Sequence, residues 1–465
     1  MLNAQPRVGL VPLYLALYDQ VAPQYRPQVE AFARRVADRL SAGGLAVELS
    51  HVCCVREEVQ RAVADLSARD VDLLATLHLA YSPSLEAADA LASSDLPLLL
   101  LDTTPAQRFA EDATMDDMFR NHGIHGVQDL ACVLRRRGRA YWVVAGHLDD
   151  AAFLQDAVRG ARAARAARCL RSMRVLVFGD QFPGMGDFAV EPGVLASTLG
   201  ITVESMAVAE LARRVNQVAD EDLATEAAAD AQHFDCSGVS PETLAASNRV
   251  GLAVRAMLDE CGAGAFSFNF QSFDRSLGVP TVPFLEAAKA MARGVGYAGE
   301  ADALTAALAG ALLQGFGQVT FTEMFCPDWA GNAVFMSHMG ECNPDLAAAR
   351  PRLVEKDYAF GNVDNPAVAL FPLQPGPATL VNIAPGPDDS FGLIGARLRI
   401  LDRGLQPGFP DVPHFWIQPV DTDVRDFLRR YSECGGTHHL ALVRGDEIEA
   451  MPAMARLLGV GFWRV

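Results

Sequence analysis

The chain has 465 residues, a formal net charge of −18, and hydrophobic side chains at half of its positions. At about 150 residues per domain this length implies roughly three domains. The acidic field argues against nucleic-acid or anionic-membrane partners, and nine scattered cysteines without a C-x-x-C pair argue against a disulfide or zinc-finger framework and suit a reducing cytoplasm.

The opening MLNAQPRVGLVPLYLALYDQ has no clean apolar core with a small-residue cleavage site after it, so VGLVPLYL (8–15) reads as a buried first strand and not a signal peptide. No window reaches about 18 uninterrupted apolar residues, so no membrane span is expected. Val29, Phe32, Val36 and Leu40 recur at helical spacing within 23–42. LAVELSHV (45–52) returns as a strand, and Val59, Val63 and Leu66 mark the next helix. DLLATLHLA (72–80), LPLLLLD (96–102) and AYWVVAGH (140–147) are short apolar runs of buried parallel-strand type. Strands alternating with helices imply right-handed βαβ units and an open parallel sheet over 1–170.

A run of arginines, Arg159, Arg162, Arg165, Arg168, Arg171 and Arg174, follows. A spacing of three drifts about 60° per step around a helix, so the run wraps around it and reads as a solvated surface. A second α/β cycle, 171–318, has strand candidates at 173–180, 201–208, 265–270 and 279–284 and a helix at 301–313. From 319 to 465 proline and glycine become frequent and short alternating runs such as TLVNIA and ARLRIL fit antiparallel strands. The expected architecture is therefore two Rossmann-like parallel-sheet domains followed by a mainly antiparallel, barrel-like β domain. A helix at 421–433 and a short terminal helix and strand close that last domain.

The residues able to carry chemistry gather late in the chain: Glu300 in GYAGEADALTAAL, Glu323 in VTFTEMF, His338 and Glu341 in SHMGECNP, and His438 and His439 in GGTHH. Two carboxylates and two imidazoles form an octahedral set for Mn²⁺ with two positions left for substrate oxygens. Each residue also has a plainer reading. Glu300 precedes a helix, whose dipole favours its charge. His338 alone reads as a hydrogen-bonded core histidine. Glu323 is harder to dismiss, because it shares an alternating run with Val319, Phe321 and Phe325, and a carboxylate facing an apolar interior needs a partner. Adjacent strand residues face opposite ways, so one histidine of His438-His439 is expected at a metal. Gly294, Gly296 and Gly299 spell G-x-G-x-x-G, but the preceding EAAKAMAR (286–293) reads as helix where a dinucleotide site needs a strand.

These segments, taken in order with ATLHLAYSPS (75–84), MDDMFRNHGIHGVQDL (115–130), VVAGHLDD (143–150), MRVLVFGDQF (173–182) and PLQPGPA (372–378), resemble the L-arabinose isomerases of the L-fucose/L-arabinose isomerase superfamily over nearly the full length. The resemblance implies a cytoplasmic enzyme that interconverts an aldose and a ketose in carbohydrate metabolism. It implies a divalent metal, Mn with Mg or Co as alternatives, on Glu300, Glu323, His338 and His439. Glu300 and Glu323 are the implied acid and base of an ene-diolate mechanism, and a homotrimer or homohexamer is the implied assembly, in which His125 approaches a neighbouring subunit's site. The chain departs from the family on the substrate side. VPLYLALYD (11–19) replaces Q-H-L-Y-G, leaving Tyr14 or Tyr18 to stand in; Phe325 replaces a tyrosine; and Gln271 replaces a carboxylate. With His125 and His438 these are the expected substrate contacts. The departures keep other readings open: isomerisation or epimerisation of a deoxy, branched or acidic sugar, or non-catalytic sugar binding.

Overall fold

The computed structural model describes residues 5–465. These divide into two compact units. One runs to Arg168 and takes back the segment Glu449–Gly459. Its core is a five-stranded, all-parallel sheet in the order Ala46–Leu49, Arg7–Leu13, Leu73–His78, Leu98–Asp102, Trp142–Ala145. Leu73–His78 is buried at every position, as a strand covered on both faces must be. Helices Arg26–Ala42, Arg56–Ala68, Ser84–Ser93 and Ile124–Arg136 supply the crossovers.

The arginine-rich helix spans Ala151–Arg171. It is not the solvated surface that its charge suggests. Ala157, Ala161, Ala163, Ala164, Ala166 and Ala167 are buried, and the arginines between them are held at the rim of that packed face. Arg168 reaches Asp70 and the Val71 carbonyl, and Arg165 lies beside Asp72. Alanine supplies close packing and the long arginine stems reach back to acceptors, an arrangement that charge counting alone does not show.

The second unit comprises Cys169–Ile448 and Val460–Val465. It holds a four-stranded parallel sheet in the order Gly296–Gly299, Ala265–Phe268, Arg174–Phe178, Thr202–Met206. The segment 279–284 is not a strand; Pro280 and Pro283 lack the N–H that a ladder needs. The missing strand is Gly296–Gly299, inside the glycine-rich motif. Glycine is required there, since a Cβ on Gly296 would lie 2.2 Å from the Ala306 carbonyl oxygen and 2.3 Å from the Gly310 nitrogen.

Six strands close into an antiparallel barrel: Gly376–Pro385, His439–Arg444, Val319–Asp328, Ala333–Ser337, His414–Pro419 and Phe391–Ile400, the last pairing back onto the first. Gly461–Arg464 adds in parallel outside Phe391–Ile400. A small three-stranded sheet of Asp235–Gly238, Arg352–Glu355 and Ala367–Leu370 completes the strands. Helix Ala303–Phe316 is buried on nearly every side, which its uniformly apolar, alanine- and leucine-rich sequence permits. It packs on both the parallel sheet and the barrel. Among the described residues no helix is long and apolar enough to cross a membrane.

Candidate metal centre and active site

Strand register brings the late-chain residues together. In the barrel Glu323 lies opposite His439 on one side and Ser337 on the other, so His338 follows directly beside it. Glu300 arrives from the parallel sheet, one residue past Gly296–Gly299. Glu300 and Ala301 both adopt left-handed backbone conformations, with φ of 62° and 66°. Such conformations cost non-glycine residues on the order of 1–3 kcal/mol each and collect at functional sites. The turn they make leads to Asp302, whose carboxylate accepts from Thr305 N at 2.8 Å and caps the buried helix.

The other oxygen of Asp302 is 2.9 Å from His439 Nδ1. His439 is fully buried, and its Nε2 is aimed at the two glutamates, 3.0 Å from Glu323 Oε1 and 3.5 Å from Glu300 Oε2. His338 is built alike: Nδ1 lies 2.7 Å from Glu341, and Nε2 lies 3.7 Å from Glu323 Oε1. Glu341 is itself fixed by the Gly340 N–H at 2.7 Å and the Tyr297 hydroxyl at 2.5 Å. A histidine whose Nδ1 is tied to a carboxylate, with Nε2 free, is oriented as a metal ligand is.

His438 precedes the strand that begins at His439, so strand alternation does not direct its side chain away. Its ring turns to the same carboxylates, with Nε2 3.7 Å from Glu323 and 3.8 Å from Glu300. Asp187 holds its backbone N–H at 2.8 Å and its Nδ1 at 2.7 Å. Phe188 stacks on His439, ring centroids 4.8 Å apart and planes 5° from parallel. Donor atoms of Glu300, Glu323, His438 and His439 all lie within 4.8 Å of one another. Atoms bound to one ion at about 2.1 Å are at most about 4.2 Å apart, so these residues need draw in by only about half an ångström.

Charge and satisfaction point the same way. Glu300 Oε2 and His439 Nε2 are buried without a hydrogen-bond partner, although each faces an oppositely disposed group; the attraction between them is electrostatic and badly aligned. A cation at their common focus would satisfy both. Burial pushes the Glu300 carboxyl up, but His438, His439 and His338 outweigh it and hold it at about 2. Glu323 is likewise lowered against its burial by His338 and His439. Burial pushes His439 down, yet Asp302, Glu300 and Glu323 raise it well above the imidazole range. The three carboxylates thus surround the His439 imidazole with negative charge and favour a cation there.

Phe325 and Gln271 do not join this cluster. Phe325 sits at a β-bulge between Met324 and Cys326 and is 45% exposed. The bulge breaks the alternation that would align Phe325 with Phe321, whose buried ring instead packs against His338 and His439. Gln271 is exposed in a short turn capped by Asn269. Tyr14, Tyr18 and His125 belong to the other unit. There Tyr14 is buried, the Tyr18 hydroxyl lies 2.9 Å from His122 Nε2, and the exposed His125 ring lies 5.9 Å from that of His122. Of the carboxylates behind the histidines, Glu341 was noted in the sequence without a role, and Asp302 and Asp187 were not singled out by sequence reasoning. Asp302 alone carried a local signal, the helix-capping pattern with Thr305.

Comparison with known proteins gives a consistent result. Residues 174–314 match the family model described as the L-arabinose isomerase central domain, and 318–461 match the L-arabinose isomerase C-terminal domain. An L-arabinose isomerase of Nocardioides sp. is 28% identical over 94% of this chain and 89% of its own length. One from Oceanobacillus iheyensis is 26% identical over 96% of each. A solved periplasmic solute-binding protein of Actinobacillus succinogenes with bound D-allose is 13% identical over 67% of this chain and 92% of its own, with a TM-score of 0.18, too low to bear on the fold. The chain belongs to the L-arabinose isomerase family and is an aldose–ketose isomerase.

Proposed function

We propose that this enzyme is a divalent-metal-dependent isomerase of a small open-chain sugar, an L-arabinose-like pentose or a related aldose, with Mn²⁺ as the preferred ion and Mg²⁺ or Co²⁺ as alternatives. The observation that carries this reading is the convergence of Glu300 Oε2 and His439 Nε2, both buried and without a partner, on one point beside Glu323. Glu300, Glu323, His439 and His338 are the proposed ligands. His338 is preferred to His438 because it repeats the arrangement of His439, buried with Nδ1 on a buried carboxylate. A divalent cation bound there supplies Lewis-acid stabilisation of charge on the sugar oxygens.

The protein's own groups account for the proton chemistry. Glu300 and Glu323 are both ionised near neutral pH, so either is ready to take the proton from C2 and return it to C1, while the other carries the hydroxyl proton from O2 to O1. His438, half exposed and fixed by Asp187, is placed to bind a substrate hydroxyl. His125 would serve the site of a neighbouring subunit, in a cytoplasmic homotrimer or homohexamer. Metal analysis of the purified protein, with turnover of L-arabinose and related aldoses before and after chelation, tests the proposal. Full activity in a metal-free sample would overturn it. In heavy water, deuterium incorporated at C1 during turnover favours the ene-diolate over a hydride shift, while complete retention excludes free exchange with solvent.

A further inference from the structure

The unit built on the five-stranded sheet holds a cavity of about 340 Å³, lined by Arg135, Gly138, Arg139, Ala140, Tyr141 and Arg456. The first five come from RRRGRAYW (135–142), where helix Ile124–Arg136 ends and the edge strand Trp142–Ala145 begins. Arg456 comes from helix Met451–Leu458, in the late segment that this unit takes back. The turn enters its strand at the N-terminal end. Tyr14 follows the C-terminal end of Arg7–Leu13, and the strands are parallel, so the cavity lies at the opposite edge of the sheet from Tyr14.

Three guanidinium groups meet here and no acidic side chain lines the cavity, in a chain where Asp and Glu outnumber Lys and Arg by 57 to 39. Other arginines of the same unit lie against carboxylates: Arg26 on Asp19, Arg35 on Asp149, Arg56 and Arg137 on Asp89. The Arg135 guanidinium has no hydrogen-bond or ion-pair partner among the described residues, and that of Arg456 has only the Trp142 ring, 5.8 Å from its centroid. Arg139 is anchored: its Nε donates to the Leu91 carbonyl at 3.2 Å and a terminal nitrogen donates to the Leu96 carbonyl. Arg135 and Arg456 each sit in the last turn of a helix, where the dipole favours a cation. That accounts for each arginine singly. It does not account for two helix ends bringing theirs, with Arg139, to one cavity that has no carboxylate.

We infer that this cavity is a second binding site, for a small phosphorylated metabolite of the sugar phosphomonoester class, with Arg135, Arg139 and Arg456 on the phosphate. The planar guanidinium fork matches phosphate oxygens two at a time. A phosphomonoester carries a charge of about −1.5 to −2 near neutral pH, which answers three convergent cations better than a monocarboxylate does. The cavity falls in the usual range for small-molecule sites, roughly 300–1,000 Å³, so it has room for a sugar body beside the phosphate, and the Tyr141 phenol at its wall can bond a sugar hydroxyl. The site is independent of the metal centre, whose proposed ligands all belong to the other unit. A ligand held from both sides ties helix Met451–Leu458 to the turn before Trp142–Ala145 and stabilises this unit by mass action.

The test is calorimetric titration of the full-length protein, supplied with Mn²⁺, with D-ribose 5-phosphate, D-glucose 6-phosphate, the two unphosphorylated sugars, inorganic phosphate and citrate. The better sugar phosphate is expected to bind at least roughly tenfold more tightly than its unphosphorylated sugar, and more weakly as salt is raised. Arg135→Gln and Arg456→Gln, both at exposed positions that leave the fold intact, should each weaken that binding by about tenfold or more, the usual loss for a charge-assisted hydrogen bond, with aldose turnover unchanged. Equal affinity for the sugar and its phosphate, or sugar-phosphate binding that survives both substitutions, overturns the inference. Inorganic phosphate or citrate binding as tightly as either sugar phosphate overturns the ligand class. A change of sedimenting mass in the doubly substituted protein, with no phosphate bound by the parent, would assign the arginines to an acidic face of a second copy and overturn the inference as well.

Discussion

At the scale of single residues, the distinctive feature is that each buried histidine of the centre is held by a carboxylate behind it. Asp302 does two jobs, and substitutions can separate them. Asp302→Asn retains a capping oxygen for Thr305 but gives His439 no charge to lean on; metal affinity is expected to fall about 10- to 100-fold, with little change in thermal stability. Asp302→Ala should lose the metal similarly and in addition destabilise the protein by about 1 kcal/mol through the missing cap. Metal titration and thermal melts of the two variants check this; equal stability loss in both would remove the cap from the account. The two candidate fourth ligands separate in the same way. His338→Gln should lose bound metal, whereas His438→Gln should keep it and lose turnover, measured by elemental analysis beside kinetics. The reverse pattern would assign the fourth position to His438. Glu300→Gln or Glu323→Gln should each reduce kcat by about 10²–10⁴-fold, the usual contribution of a positioned acid or base.

At the scale of elements, close backbone approach and a buried ion network set the frame that carries these residues. The strand Gly296–Gly299 lies against helix Ala303–Phe316 so closely that Gly296→Ala would drive a methyl group into the helix backbone. An overpacking cost of about 1–3 kcal/mol is expected, together with weakened metal binding, because Glu300 hangs from the same strand. Denaturant melts of the variant provide the measurement. Elsewhere in this unit, Glu226 ties helix Asp220–His233 to Arg255 and to the buried Lys289, which also meets Asp230 and Asn248. Burial raises the Glu226 carboxyl, but Arg255 and Lys289 prevail and lower it to about 2 from an ordinary 4.5. A depressed carboxyl contributes stability above its unfolded value and loses it as pH falls through the folded one. The roughly 3 kcal/mol implied by that shift should therefore be present above about pH 4.5 and disappear toward pH 2. In Glu226→Gln the slope of stability against pH across this window should flatten, as acid titration of unfolding would reveal.

At the scale of the whole molecule, all the proposed ligands belong to one compact unit, which carries both the central parallel sheet and the barrel. Metal at about 100 times its Kd should stabilise that unit by about 2.7 kcal/mol and leave the melting of the other unit unchanged. Calorimetry with and without chelator should then show one metal-sensitive transition; a uniform shift of all transitions would contradict this. Affinity should also climb with pH. His439 is held protonated above the ordinary imidazole range, and a metal must displace that proton, so apparent affinity should increase up to tenfold per pH unit below the folded value. A pH-independent Kd would mean that His439 is not a ligand.

How much of this was legible beforehand follows from the range of the forces involved. Periodicity and composition are local, and they read correctly the alternation of strands and helices and the antiparallel strands that follow late in the chain. They misread 279–284 as a strand, overlooked the strand inside G-x-G-x-x-G, and took the arginine helix for a solvated surface, because proline chemistry, backbone contact between elements and buried alanine faces override hydrophobic pattern. Which residues can bind a cation was written in the chain, since carboxylate and imidazole chemistry belongs to side chains wherever they lie. That Glu323 faces His439, that Asp302, Glu341 and Asp187 stand behind the histidines, and that Arg135 and Arg456 line one cavity were decided only by tertiary structure. Strand register and the closure of a barrel bring together residues more than a hundred positions apart, and no local pattern encodes such a distance.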